Sequence, residues 1–274
     1  MAEQKIRLDV LVYNKGIATS REKAREYITS GKIFVDGKAE TKCGRKVDEA
    51  VQVEMRGNTI PYVSRGGLKL EKAINNFHIS LENKVCMDIG ASTGGFTDCM
   101  LKFGARKIFS IDVGSDQLAE VLRKNPKVIS MENTNVRNLT LEQIGELADF
   151  ASIDVSFISL EKVIPHVAEL VQDNGEIVAL VKPQFEAGIG KVSKKGVVKQ
   201  AKTHIEVLYK IVNFLKENNY KIINLDYSGI KGPNGNIEYL VYFTKNVGFI
   251  EEFKTDWISN VVKKSHEVLN SEEV

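Results

Sequence analysis

The chain has 274 residues, enough for one α/β domain and a smaller companion, and its 38 Lys plus Arg against 36 Asp plus Glu leave a formal charge of only +2. So even a balance excludes a chain that is basic throughout, and any polyanion-binding surface must be local. Cys43, Cys86 and Cys99 share no metal-ligand spacing, the N-terminus has no apolar signal core, and no apolar run reaches the ~18 residues of a membrane span; the expectation is a soluble, cytoplasmic protein of reducing surroundings, with neither a metal nor a membrane partner.

Two regions follow one another, residues 1–60 and 61–274. In the first, Arg7-Leu-Asp-Val-Leu-Val-Tyr13 puts apolar residues at 8, 11 and 12 on one face of a helix closed by Gly16. Thr19-Ser-Arg-Glu22 has the capping-box arrangement, with Thr19 as the cap, and opens a second helix with core face Ala24, Tyr27 and Ile28, ended by Gly31. Ile33-Phe-Val35 with Asp36-Gly37 reads as a hairpin, since a type I′ turn needs positive φ at both central residues. On the second helix Arg21 and Arg25 stand one turn apart, with Lys23 near them and Lys32 beyond the helix end. That face is either a phosphate clamp or a solvated surface partly neutralised by Glu22 and Glu26. The string Arg7-Leu-Asp-Val-Leu, Ser20-Arg-Glu-Lys-Ala-Arg25, Gly31-Lys-Ile-Phe-Val-Asp-Gly37, Gly44 and Val47 closely resembles the small RNA-binding module shared by a small-subunit ribosomal protein, pseudouridine synthases and tyrosyl-tRNA synthetases. The resemblance favours the clamp and implies RNA contacts by Arg7, Arg21, Lys23, Arg25 and Lys32, with Arg65 added from beyond the junction.

Asn58-Thr-Ile-Pro-Tyr-Val63 has a proline and no period, and is the expected linker. From there strands near 85–89, 107–112, 128–131, 150–154, 176–182, 222–227 and 237–244 alternate with helices, the pattern of an α/β doubly wound, Rossmann-like sheet. Phe249 to Val274, charged and amphipathic around Trp257, is expected to pack as a closing helix.

Asp88-Ile-Gly-Ala-Ser-Thr-Gly-Gly-Phe-Thr97 joins an acidic strand end to a glycine turn and a helix start, where a nucleotide-like ligand can approach the backbone. Asp112, ending the next strand, stands where such folds place an acceptor for ribose hydroxyls. Ser92 replaces the glycine that admits a pyrophosphate, and the added carboxylate Asp88 suits a sulfonium and an amino group while repelling a pyrophosphate. The cofactor expected is therefore S-adenosylmethionine rather than NAD, on Asp88, Gly90, Ser92, Gly94, Gly95, Phe96 and Asp112.

Four charges stand at strand ends or turns of the second region: Lys69, Asp154, Lys182 and Glu238. Singly each reads as a solvated strand-end charge, but Ile153-Asp-Val and Leu180-Val-Lys-Pro join charges to buried strands, which costs desolvation unless they are paired or used. Together these motifs resemble the TlyA family of ribosomal RNA 2′-O-ribose methyltransferases, also known as haemolysin A, and more broadly the FtsJ-like methyltransferases. The resemblance runs over nearly the whole chain, and it implies that Lys69, Asp154, Lys182 and Glu238 form a Lys-Asp-Lys-Glu catalytic tetrad and that Asp88, Gly90, Gly94 and Asp112 hold the cofactor. Tyr62 stands where some members carry a linker tryptophan.

A ribose 2′-hydroxyl must be deprotonated or polarised to attack a methyl group, and Lys182, oriented by Asp154 and Glu238, is the candidate for either role, with Lys69 holding the nucleotide or balancing charge. Cytosine C5 chemistry would need a cysteine near the fourth or sixth strand, whereas Cys86 and Cys99 lie in the first strand and helix; adenine amino methylation would show Asn-Pro-Pro-Tyr where Asp154-Val-Ser-Phe stands. The loop Gly188–Lys199, rich in glycine and lysine, reads equally as a plain surface loop or as a direct RNA contact. The family points to cytidine of small- or large-subunit rRNA as the acceptor. Two other classes stay open: a non-enzymatic RNA-binding or ribosome-assembly protein, which an intact tetrad opposes, and a membrane-active haemolysin, for which no amphipathic or spanning segment is convincing.

Overall fold

A computed structural model describes residues 5–29, 31–56, 60–188, 190–249 and 253–271, so the first part of the expected linker lies outside the described residues. The chain divides into two compact units, 1–59 and 60–274.

The first unit holds β1 (Lys5–Arg7), α1 (Leu8–Asn14), α2 (Arg21–Thr29), β2 (Ile33–Val35), β3 (Lys38–Glu40), β4 (Lys46–Asp48) and β5 (Val53–Met55). Strand β1 pairs antiparallel with β4, and β2 lies between β3 and β5. Leu8, Leu11 and Val12 of α1 meet Ala24 and Ile28 of α2 and Ile33, Val35 and Val47 in one small core. Asp36 and Gly37 take φ 49° and 78°, as the hairpin turn requires. The cap of α2 is Ser20 rather than Thr19. Ser20 directly precedes the helix, and its Oγ accepts the Lys23 N–H at 3.1 Å, the third-position amide that a cap satisfies.

The second unit runs α3 (Gly66–Phe77), β6 (Val85–Ile89), α4 (Gly95–Lys102), β7 (Lys107–Ile111), α5 (Glu120–Arg123), β8 (Val128–Met131), α6 (Leu141–Ile144), β9 (Ala148–Ile153), α7 (Ile164–Glu169), β10 (Val171–Val181), α8 (Pro183–Glu186), α9 (Ala201–Glu217), β11 (Lys221–Tyr227), β12 (Tyr239–Thr244) and α10 (Asp256–Ser271). Its seven-stranded sheet has the order β11-β12-β10-β9-β6-β7-β8, parallel except for β12, which runs antiparallel to both neighbours. Chain order reverses between β6 and β9, and this switch point sets their carboxyl ends side by side, the place where such sheets bind ligands.

Alternation along β6 sorts its residues between two cores: Val85, Met87 and Ile89 join the cluster that includes α7, α9 and α10 side chains, while Cys86 faces the layer of α3 and α4. By the same period Asp88 points to the α4 side. Lys69 lies within helix α3, not at a strand end or turn, because Gly66–Phe77 forms one continuous helix. Among the described residues no helix is long and apolar enough to cross a membrane.

Candidate active site

Glycine does structural work at the turn after β6. Gly90 has φ +84°, and a Cβ on it would lie 2.6 Å from the Asp154 carbonyl, so only glycine lets β6 and β9 close at the switch point. A Cβ on Gly95 would meet the Gly67 amide at 2.9 Å, and the space beside Gly94 is filled by Leu118 and Leu122. These glycines admit neighbouring protein, and Gly90 and Gly95 also line the cavities described next. Ser92, between Gly90 and Gly94, also takes a left-handed conformation, at φ 47°.

Two cavities adjoin at this point. One of about 490 Å³ is walled by Ile111, Asp112, Val113, Val136 and Ile158. Another of about 290 Å³ is walled by Arg65, Lys69, Asp88, Gly95, Phe96 and Lys182. Gly90, Ser92, Asp154 and Ser156 line both and form the seam between them.

Asp112 lines the larger cavity with its carboxylate fixed by two backbone amides, Ser92 N–H to Oδ2 at 2.8 Å and Gly114 N–H to Oδ1 at 2.7 Å. Each oxygen retains a lone pair for a hydroxyl donor. Asp88 has no exposed surface and lies at the floor of the smaller cavity. Its Oδ2 accepts the Thr97 N–H at 2.8 Å and the Thr97 hydroxyl at 2.7 Å, anchoring the first turn of α4, while Oδ1 has only a long contact of 3.4 Å from Ser152 Oγ. Burial pushes its carboxyl up to about 7, against the lowering effect of the Thr97 bonds and with a further push from the Asp154 charge. A cation over the smaller cavity would relieve that penalty, so Asp88, Asp112 and the seam between the cavities fit a ligand with ribose hydroxyls at one end and positive charge at the other.

The four charged residues expected as a tetrad do gather at one edge of the sheet, but as two ion pairs. Lys182, at the carboxyl end of β10, contacts Asp154 Oδ1 at 2.6 Å and donates to Ser156 Oγ at 3.0 Å. Lys69 contacts Glu238 Oε2 at 2.5 Å, both nearly without exposed surface. Among the described residues Lys182 pairs with Asp154 and not with Glu238, which corrects the expectation that both carboxylates orient it; Glu238 Oε1 accepts instead from Gln184 Nε2 at 3.2 Å. Glu238 reaches this edge because β12 runs antiparallel and the residue precedes its first position.

Sequence reasoning missed two neighbours. Ser156 holds Lys182, and Phe157 is 90 % exposed at φ 64° with its ring 4.8 Å from Phe185, an apolar face presented at the rim of the larger cavity. The signal was present in Asp154-Val-Ser-Phe157, an aromatic set directly after a strand-end carboxylate.

In the first unit three expected RNA-contacting arginines share one hub that was also missed. Asp9, fully buried, accepts from Arg7 Nε at 2.9 Å, Arg25 Nε at 3.0 Å and Arg21 Nη2 at 3.3 Å. The Arg7 bonds, with those of Arg25 and Arg21, hold the Asp9 carboxyl well below its usual range despite burial. Each arginine remains about half exposed, so the cluster turns guanidinium groups to solvent in fixed positions. Lys23 pairs with Glu26 at 2.8 Å, and Arg65 belongs to the wall of the smaller cavity in the second unit. Among the described residues no cluster of three His, Cys, Asp or Glu side chains is arranged to hold a metal ion.

Comparison with known proteins agrees with this geometry. The FtsJ-like methyltransferase family model matches residues 62–245 and the S4 domain model residues 6–53. YqxC of Bacillus subtilis, provisionally named an rRNA methyltransferase, is 42% identical over 98% of this chain and 97% of its own. The 16S/23S rRNA (cytidine-2′-O)-methyltransferase TlyA of Mycobacterium tuberculosis is 37% identical over 87% of this chain and 90% of its own. A solved Streptococcus thermophilus structure, provisionally named a hemolysin, superimposes with a TM-score of 0.79 at 40% identity over 99% of both chains.

Proposed function

The chain belongs to the FtsJ-like methyltransferase family, with an S4 domain before the catalytic unit, and from that premise we propose that it transfers a methyl group from S-adenosylmethionine to the 2′-oxygen of cytidine in ribosomal RNA. One observation carries the reading: Asp154, on the seam between a cavity that offers a ribose-binding carboxylate and one floored by Asp88, pairs with Lys182 in the wall of the second. Asp112 would hold the cofactor's ribose, Asp88 and the 90–95 turn its positively charged end, and Lys69, Asp154, Lys182 and Glu238 the reacting ribose of the RNA. When bound, S-adenosylmethionine supplies an electrophilic methyl group on its sulfonium. Lys182, ion-paired with Asp154 and donating one N–H to Ser156, would turn a further N–H to the 2′-oxygen, fixing and polarising it while the Asp154 carboxylate takes the hydroxyl proton. Fixing the hydroxyl against the methyl group supplies a large part of the rate on its own. The exposed Phe157 ring offers a stacking face to a base turned toward the tetrad. The Arg7, Arg21 and Arg25 cluster would grip phosphates, and a protein that modifies ribosomal RNA would work in the cytoplasm.

Ribosomal subunits incubated with the protein and methyl-labelled S-adenosylmethionine, then hydrolysed, test this directly. The expected product is an alkali-resistant dinucleotide, because a methylated 2′-oxygen cannot attack the adjoining phosphorus. Label recovered on a base after nucleoside digestion would overturn the assignment.

A further inference from the structure

A further cavity of the catalytic unit lies apart from the tetrad. It measures about 950 Å³ and is lined by Lys194, Lys195, Lys199, Lys231 and His266, and no carboxylate lines it among the described residues. Lys194, Lys195 and Lys199 are exposed. Asn236, itself buried, fixes the lysine-bearing loop: its Oδ1 accepts the Val198 N–H at 3.2 Å and its Nδ2 donates to the Gly196 carbonyl at 2.9 Å. His204 of α9 adds a third tie at the Val198 carbonyl, 2.9 Å away. The loop is therefore held against the turn before β12, and that turn, residues 231–237, both walls the cavity and leads into Glu238, whose carboxylate packs on Gly232. His266, which packs on His204 and also lines the cavity, has its Nε2 buried with no hydrogen-bond partner among the described residues.

We propose that this lysine-lined cavity is a second anchoring site, binding the phosphodiester backbone of the RNA strand that flanks the nucleotide held at Glu238. The inference rests on the proposed rRNA methyltransferase reading and says where in the catalytic unit the strand continues. Lysines act as compact point charges suited to phosphates at variable distance, and their sequence-independent grip fixes position without reading bases. A free mononucleotide would call for a stacking or base-reading surface, and His266 is the only ring among the described lining residues. The loop that the sequence left between two readings thus becomes an RNA contact, and Lys231 and His266, remote from it in sequence, join the same site.

The full-length protein with Lys194→Gln, Lys195→Gln and Lys199→Gln tests the site, since exposed lysines can be neutralised without disturbing the core. Three phosphate contacts at ~0.7–0.9 each should flatten the slope of log affinity for ribosomal subunits against log salt by roughly 2–3 units. S-adenosylmethionine affinity should stay within about twofold of the parent. Lysine acetylation footprinting of the parent should show these three lysines and Lys231 protected by ribosomal RNA and exposed in millimolar inorganic phosphate alone. An unchanged salt slope together with unprotected lysines, in a protein that still methylates RNA, would overturn the second site and leave the activity standing. Protection by inorganic phosphate equal to that by RNA would mark a small-anion site and also overturn it. A parent protein that neither binds nor methylates ribosomal RNA would remove the reading beneath the proposal as well.

Discussion

Replacing Asp88 by asparagine should separate the stability of the catalytic unit from its affinity for cofactor. The carboxyl is fully buried and titrates at about 7, raised by burial from an ordinary value of 3.8. Below 3.8 both folded and unfolded chains carry the proton, and between 3.8 and about 7 only the unfolded chain releases it, so a contribution present at low pH is lost as pH rises through the folded value. Each pH unit in that interval is worth about 1.4 kcal/mol, so the rise from pH 5 to pH 7 removes about 2–3 kcal/mol from the parent. Asparagine does not titrate; its carbonyl can take both Thr97 bonds and its amide can donate to Ser152. Against pH, the stability of the variant relative to the parent should therefore climb by about 2–3 kcal/mol from pH 5 to 7 and more slowly above, or roughly 4–12 °C in the melting temperature of a unit this size. Only the change with pH is diagnostic, because a constant offset also contains the altered hydrogen bonds. Cofactor affinity should move the other way, falling by ~1.5–3 kcal/mol as a charged partner is lost. Scanning calorimetry at pH 5 and pH 8 without cofactor, with titration calorimetry at pH 8, measures both. A relative stability that does not vary with pH, or that favours the parent as pH rises, would refute the buried-carboxyl account.

Three further variants probe the remaining parts. Asp112→Ala should weaken S-adenosylmethionine binding by ~1.5–3 kcal/mol, since it removes a charged acceptor and frees the Ser92 and Gly114 amides that shape the loop; unchanged calorimetric affinity would place the ribose elsewhere. Lys182→Ala should leave cofactor and RNA binding nearly intact while the single-turnover transfer rate falls about 10²-fold or more, and a rate within a few-fold of the parent would remove Lys182 from the chemistry. Arg21→Ala with Arg25→Ala should flatten the salt dependence of RNA binding by roughly 1–2 units, read by filter binding across a salt series, and should also lower the stability of the first unit because Asp9 keeps only Arg7; a slope identical to the parent would make the cluster purely structural.

Local patterns carried the catalytic scaffold well. The strands near 85–89, 107–112 and 128–131 are set by short apolar runs between turns, and the observed β6, β7 and β8 follow them closely. Period-two alternation in Val85-Cys-Met-Asp-Ile89 already implies that Asp88 shares a face with Cys86, which is why it ends beneath α4. What the sequence could not reveal is partner choice. Nothing local in Asp9, flanked by Leu8 and Val10 in an apolar helix, shows that three arginines at different spacings will converge on it, and nothing near Glu238 shows that a helix 169 residues earlier supplies its lysine. Those pairings depend on the antiparallel course of β12 and on how α3 packs, both of which are tertiary facts.

The division of the tetrad into two pairs has a chemical consequence. A lysine held between two carboxylates would carry a doubly compensated charge and polarise a hydroxyl less. Lys182 instead shares one carboxylate and one neutral hydroxyl, while Lys69 absorbs the second carboxylate away from the seam. Glu238 is then a brace whose fixed position depends on Gly232, because any side chain there would strike its carboxylate. The turn that supplies Gly232 also supplies Lys231 to the lysine-lined cavity. If the strand binds in that cavity as proposed, a contact at Lys231 would bear on the same short segment that leads into Glu238 and its pair with Lys69.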